Sequence, residues 1–174
     1  LAWRGRLPAT DPERCAAILD REGPRLAGIV LDTLTSKAGM VPPPQGTLDA
    51  IRDACRRHGI MLICDEVIGF RLAHAGAHTI FGLEPDLIAL GKIIGGGLPV
   101  GAVAGPATRM AVFDHTHGTP AVAHGGTFSA NPLTMVAGRI TLDYYDAAAV
   151  DRLNRLGDTL RARIQAGFAA AGIA

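Results

Sequence analysis

Two apolar runs constrain this chain most, because each stops abruptly at an ionisable residue. The first is Ile60-Met61-Leu62-Ile63-Cys64, followed by Asp65-Glu66. The second is Leu87-Ile88-Ala89-Leu90, followed by Gly91-Lys92 and then Gly95-Gly96-Gly97. Neither run alternates apolar with polar residues, which suits strands buried on both faces of a parallel sheet. In open α/β sheets, ligands bind beyond the carboxyl ends of the strands. Asp65 and Lys92 are therefore expected on the same rim of one sheet. Taken singly, an acid after a strand is commonly a turn or cap residue, and a lysine before glycines a surface charge. Their convergence, an acid and an amine with glycines beside the amine, marks a candidate reaction centre.

The punctuation around these runs supports an α/β chain. Asp11-Pro12 opens a helix that runs to about Arg21 and stops at Gly23-Pro24. Leu26 to Leu31 reads as a buried strand, and Thr33 to Gly46 as a long loop stiffened by Pro42-Pro43-Pro44. Thr47 to His58 is an amphipathic helix with Leu48, Ile51, Ala54 and Cys55 on one stripe, ended by Gly59. Strand, helix and strand in this order, with so long a crossover, favour parallel pairing. Val67 to Pro85 reads as loop, with one turn of helix near Ala77. A further strand is expected over Pro99 to Gly105 and a short helix over Pro106 to Phe113. Asn131-Pro132 begins a helix to about Tyr145. A last helix, from about Ala147 to Ala171, carries Val150, Leu153, Leu156, Leu160 and Ile164 at helical spacing, a stripe for core or domain-interface packing.

Composition narrows the function classes. The chain has 174 residues, 48% hydrophobic and 19% charged, enough to bury a core and about the length of one domain. A net charge of +1 gives no electrostatic argument for nucleic acid or an anionic membrane. No stretch reaches the ~20 apolar residues of a membrane helix. Cys15, Cys55 and Cys64 are widely spaced, form no Cys-x-x-Cys pair and fit the reducing cytoplasm better than a disulfide framework or a zinc site. His115 and His117, with Asp114 before them, lack a further ligand at a defined spacing, so no metal is expected. Gly95-Gly96-Gly97 is neither a dinucleotide fingerprint nor a nucleotide phosphate loop. The first residue is Leu1 rather than Met, which suggests an internal piece of a longer protein.

Lys92 carries the chemical argument. A lysine amine becomes a nucleophile when a carbonyl partner is held against it, and the glycines after it let backbone pass close to a ligand. The cofactor that joins a lysine to a carbonyl is pyridoxal phosphate, which also needs an acid at its pyridinium nitrogen. Asp65 is the evident acid.

These residues also match a family. Ile63-Cys64-Asp65-Glu66-Val67 resembles the Asp-Glu-Val motif of class III pyridoxal-phosphate-dependent aminotransferases. Pro85 to Ala102, around Leu90-Gly91-Lys92, is similar to their lysine segment, and Gly126-Thr127-Phe128-Ser129-Ala130-Asn131-Pro132 to their Gly-Thr-x-x-x-Asn-Pro motif. The three occur in family order and spacing, and the resemblance covers essentially the whole chain. The nearest branch resembles the glutamate-1-semialdehyde 2,1-aminomutase-like members. The resemblance implies the three-layer α/β/α sandwich of the fold type I large domain, with a mostly parallel sheet. It implies pyridoxal 5'-phosphate as cofactor and a homodimer with shared active sites. Lys92 would be the Schiff-base lysine, Asp65 the partner of the ring nitrogen, and Val67 a contact to the ring. Thr127 would reach the cofactor phosphate of the neighbouring subunit.

Three departures favour an aminotransferase paralogue over the aminomutase itself. Only Ile68-Gly69 separate Val67 from Phe70, Leu31-Asp32-Thr33 replaces Val-Glu-Pro, and Ala130 stands where Gly is common. On this reading residues 1–146 are part of the cofactor-binding large domain, and 147–174 form a connecting helix towards a small domain. The expected function is amino-group transfer between a small-molecule amino donor and a carbonyl acceptor. The alternatives are intramolecular transfer by an aminomutase and a non-catalytic dimerising fragment. The family's upstream phosphate loop is expected outside this chain, and with it the competence of the fragment alone.

Overall fold

The computed structural model describes residues 4–35 and 39–173. At its centre lies a sheet of four strands, β1 (Gly28–Leu31), β2 (Met61–Asp65), β3 (Leu87–Gly91) and β4 (Gly101–Ala104), in that order across the sheet. The first three run parallel, with Asp65 paired to Ala89. The last is antiparallel, with Gly91 opposite Gly101. The mostly parallel α/β sheet is thus the one expected. β1 begins two residues later than predicted, at Gly28 rather than Leu26. The chain from Arg4 to Ala9 forms no strand, and Leu1 to Trp3, like part of the Thr33–Gly46 loop, lie outside the described residues.

Helix α1 (Pro12–Glu22) starts where Asp11 Oδ1 accepts the Arg14 amide at 3.0 Å, with Pro12 in the first turn. Helix α2 (Gln45–His58) ends at Gly59, whose φ of 65° suits a residue without Cβ. These helices pack on each other and on the sheet. Cys15, Leu19, Leu48, Ile51 and Ala54 meet Ile29, Leu31, Leu62 and Cys64 in one core.

The strands fill that core from one face only. Val30, between two buried neighbours, is 69% exposed, and by strand alternation Ile63 and Asp65 share its side. The reading of strands buried on both faces is corrected here: a continuous apolar run records that both faces are apolar, not that both are covered. A cavity of about 570 Å³ runs along the β1 edge, lined among others by Arg4, Arg6, Val30, Asp32 and Asp65.

Helix α3 (Ala107–Met110) continues as a 3-10 turn to Phe113. Helix α4 (Pro132–Tyr144) is capped by Asn131 Oδ1, which accepts the Leu133 and Thr134 amides at 3.0 and 3.3 Å. Its chief contact is the turn after β3. Helix α5 (Ala147–Ala170) is capped by Asp146 and touches the Gly69–Leu72 turn. Of its apolar stripe Val150 is buried, whereas Leu156 and Leu160 are 65% and 58% exposed. A helical period shows that a face is apolar; it does not bring the partner that covers it. No helix among the described residues is long and apolar enough to cross a membrane.

Candidate active site

Asp65 is the last residue of β2. Its Oδ1 accepts the Val67 amide at 3.1 Å, a local bond that turns the chain out of the sheet. The ladder continues one step further, because the Glu66 amide donates to the Ala89 carbonyl at 2.9 Å. The Glu66 side chain turns inward and is 1% exposed. A carboxylate so buried requires donors. It accepts the Ala77 amide at 2.8 Å and the His78 amide at 2.5 Å, and lies 3.0 Å from His78 Nδ1. Glu66 therefore pins the loop after β2 to the strand end. Gly76, at φ 102°, permits the closure, because a Cβ there would strike Glu66 Oε2.

The Lys92 end is built differently. Lys92 is exposed, follows the buried Gly91 and has a φ of 51°, in the left-handed region that side chains rarely adopt. It opens a 3-10 turn, Lys92–Gly95, closed by Gly96 at φ 62°. A Cβ on Gly91 would lie 3.2 Å from Val67 Cγ1, so Val67 packs directly on the residue that precedes Lys92. Three of the four residues singled out in the sequence are thereby joined: Asp65 bonds the Val67 amide, and the Val67 side chain rests on Gly91, next to Lys92. Thr127 is not brought to them. It lies exposed in the loop before α4, and among the described residues no hydrogen bond connects it to Asp65 or Lys92.

The sequence profile "Aminotransferase class-III" matches residues 6–170. The chain belongs to the class III aminotransferase family. A glutamate-1-semialdehyde 2,1-aminomutase from Sorangium cellulosum is 41% identical over 97% of this chain and 38% of its own length. A solved transaminase with PLP bound superposes with a TM-score of 0.89 at 36% identity, covering 95% of this chain and 39% of that one. An omega-transaminase from Sphaerobacter thermophilus gives 0.88 at 42% identity, over 94% of this chain and 37% of its own. The chain thus spans under two fifths of the length of these relatives, and it forms part of the large domain of the fold type I architecture.

Among the described residues of this class III aminotransferase segment, the other histidines form no centre with the site. His124 packs edge-on against Phe113 at 5.7 Å, and Asp114 Oδ1 accepts the Thr116 amide and hydroxyl, each at 2.8 Å. Those bonds hold the Asp114 carboxyl below its ordinary range. Arg71 is exposed, and its carbonyl accepts the Tyr145 hydroxyl. Sequence reasoning missed Glu66. Only its direction was signalled: an acid directly after the strand-end Asp65 faces the opposite side of the pleat, into the core, whereas the amides that meet it lie eleven and twelve residues on.

Proposed function

We propose that the complete protein is a pyridoxal-phosphate-dependent aminotransferase, with Asp65 and Lys92 as its catalytic residues. The observation that carries this reading is the Val67 bridge. It ties the Asp65 strand end to the residue beside Lys92, so one carboxylate and one amine share the carboxyl rim of the sheet. Pyridoxal phosphate presents a carbonyl carbon, a ring nitrogen and a phosphate, and the first two fit. Lys92 is an exposed amine, and Asp65 Oδ2 is bonded to nothing else among the described residues. The Thr127 hydroxyl alone is too little for a dianionic phosphate, which needs several preorganised donors. Thr127 is read as serving a second subunit, with the remaining donors on the rest of the protein.

When bound, the cofactor supplies an electron sink for the substrate carbon that bears the amino group. Asp65 would pair with the ring nitrogen and help keep a proton there. Lys92 Nζ would hold the cofactor at its carbonyl carbon and, when free of it, would carry a proton to and from the reacting carbon. Val67 would contact the ring. The three free cysteines, with burial pushing the Cys55 and Cys64 thiols up to about 11 and about 12, suit a reducing compartment such as the cytoplasm.

Transfer between two molecules is favoured over the intramolecular reaction. The transaminases above superpose at 0.89 and 0.88, whereas a glutamate-1-semialdehyde aminomutase from Pseudomonas aeruginosa gives 0.63 at 31% identity, over 76% of this chain. The aminomutase remains the second reading because the Sorangium relative is 41% identical. Borohydride reduction of the full-length holoenzyme, followed by peptide mapping, is expected to place the pyridoxyl group on Lys92. The only other lysine of this chain is Lys37, and a label there would sink the assignment. Amino transfer to a keto acid separates the two readings, since an aminomutase would isomerise its substrate without an acceptor.

A further inference from the structure

We propose that helix α4 positions Lys92, and that Gly138 is the residue through which it does so; this rests on Lys92 being the lysine that bonds the cofactor. Lys92 holds a backbone conformation unfavourable for a residue with a side chain, φ 51°. Such a conformation persists only where the surroundings over-determine it. The turn it opens is clasped from one side by α4 at backbone contact. A Cβ on Gly138 would fall on the Ile94 carbonyl oxygen and 3.6 Å from Gly95 Cα. From the other direction, a Cβ on Gly96 would fall on the Ala137 carbonyl and 2.8 Å from Thr141 Oγ1. Thr134 is buried beside them, and its hydroxyl donates to the Pro99 carbonyl at 3.4 Å, tying the same helix to the chain beyond the turn.

A glycine inside a helix is unfavourable relative to alanine. Gly157 and Gly167 of α5 show the ordinary case, with nothing within 4 Å of an added Cβ. Gly138 differs: its missing methyl is the space that the Ile94 carbonyl occupies. Adding the methyl must displace the turn or the helix. Because Lys92 begins that turn, its amine moves with it, and so does its distance from Asp65, which is fixed independently on β2. Gly138 touches neither substrate nor cofactor; it is a positioning residue.

The test uses the full-length holoenzyme in three forms: Gly138→Ala, Thr134→Val and, as control, Gly157→Ala. The pH midpoint of the bound cofactor's visible absorbance reports the surroundings of the Lys92 nitrogen, and cofactor loss on dilution reports its hold. Gly138→Ala is expected to shift the midpoint by about half a pH unit or more and to speed cofactor loss about tenfold. Thr134→Val should move both in the same direction by less, and Gly157→Ala neither. A lowered melting temperature with unshifted midpoint and unchanged release would show a merely structural glycine and overturn the proposal. If Gly138→Ala does not fold, Thr134→Val decides, and an unshifted midpoint overturns it. A borohydride label away from Lys92 would remove the functional reading and this inference together. A label on Lys92 with unshifted midpoints would remove this inference alone.

Discussion

The two strand ends that meet at the site are secured by opposite means. At the Asp65 end the backbone is ordinary, and polar bonds do the fixing: Val67 donates to Asp65, while the buried Glu66 carboxylate gathers the Ala77 and His78 amides. At the Lys92 end the side chain is free in solvent, and the constraint lies in the backbone. A left-handed residue there is locked by glycines packed against α4. On the function proposed above, the difference follows from what each group would do. An acid that stays put can be held by hydrogen bonds to its neighbours. An amine that forms and releases a covalent bond needs a mobile tip, so its position has to be set at the main chain.

The most direct way to break the comparison is to remove the charge at the fixed end. Asp65→Asn in the full-length protein keeps the shape and the bond from Val67. It is expected to lower turnover by about a hundredfold or more, because the preorganised carboxylate that the proposed function sets beside the ring nitrogen is lost. Cofactor content should change little, which absorbance after gel filtration would show. A near wild-type rate would make Asp65 merely structural.

Next in size is the anchor beneath it. Glu66→Gln leaves the volume but keeps an accepting oxygen for only one of the Ala77 and His78 amides and turns its NH2 towards the other. We expect a loss of about 2 kcal/mol, in the range of hydrogen bonds to a buried charge. A lower urea midpoint at unchanged slope would record it, whereas an unchanged midpoint would mean that the loop is held by other contacts.

Cys64 tests how well the fixed end is sealed. Burial first, then the nearby Glu66 and Cys55, push its thiol up to about 12. The thiolate is the reactive form, so at about pH 8 alkylation of Cys64 should run at least about a hundredfold slower than that of a free thiol. Cys55, pushed up to about 11, should follow. Rapid labelling of both in the folded chain would show that the β2 end opens readily.

How much of this could be read in the sequence depended on the range of each interaction. The strand ends at Asp65 and Lys92 were legible because an apolar run that stops at an ionisable residue fixes both a strand and its end. The caps at Asp11 and Asn131 were legible for the same reason, as local bonds within a few residues. The Glu66 anchor was hidden, since it needs a loop to fold back over eleven and twelve residues. The α4 clasp joins Gly138 to Ile94, a contact no period reveals. The α5 stripe was read correctly as apolar, but a period cannot say what lies opposite, and Leu156 and Leu160 stand open.

The smallest expected effect sharpens the comparison most, because it separates strain kept for chemistry from strain that is not. Ala130 shares the left-handed region with Lys92, at φ 54° against 51°. It is exposed, and it precedes Asn131, the residue that caps α4. An L-residue in that region costs about 1–2 kcal/mol relative to glycine, while glycine gives back about 0.4–1 kcal/mol through the freedom of the unfolded chain. Ala130→Gly should therefore stabilise the protein by roughly half a kcal/mol, seen as a slightly higher urea midpoint with activity unaltered. Lys92→Gly would relieve the same strain and remove the amine. If Ala130→Gly proves destabilising, the left-handed turn at the start of α4 is held by contacts of its own, and the contrast between the two residues would no longer stand.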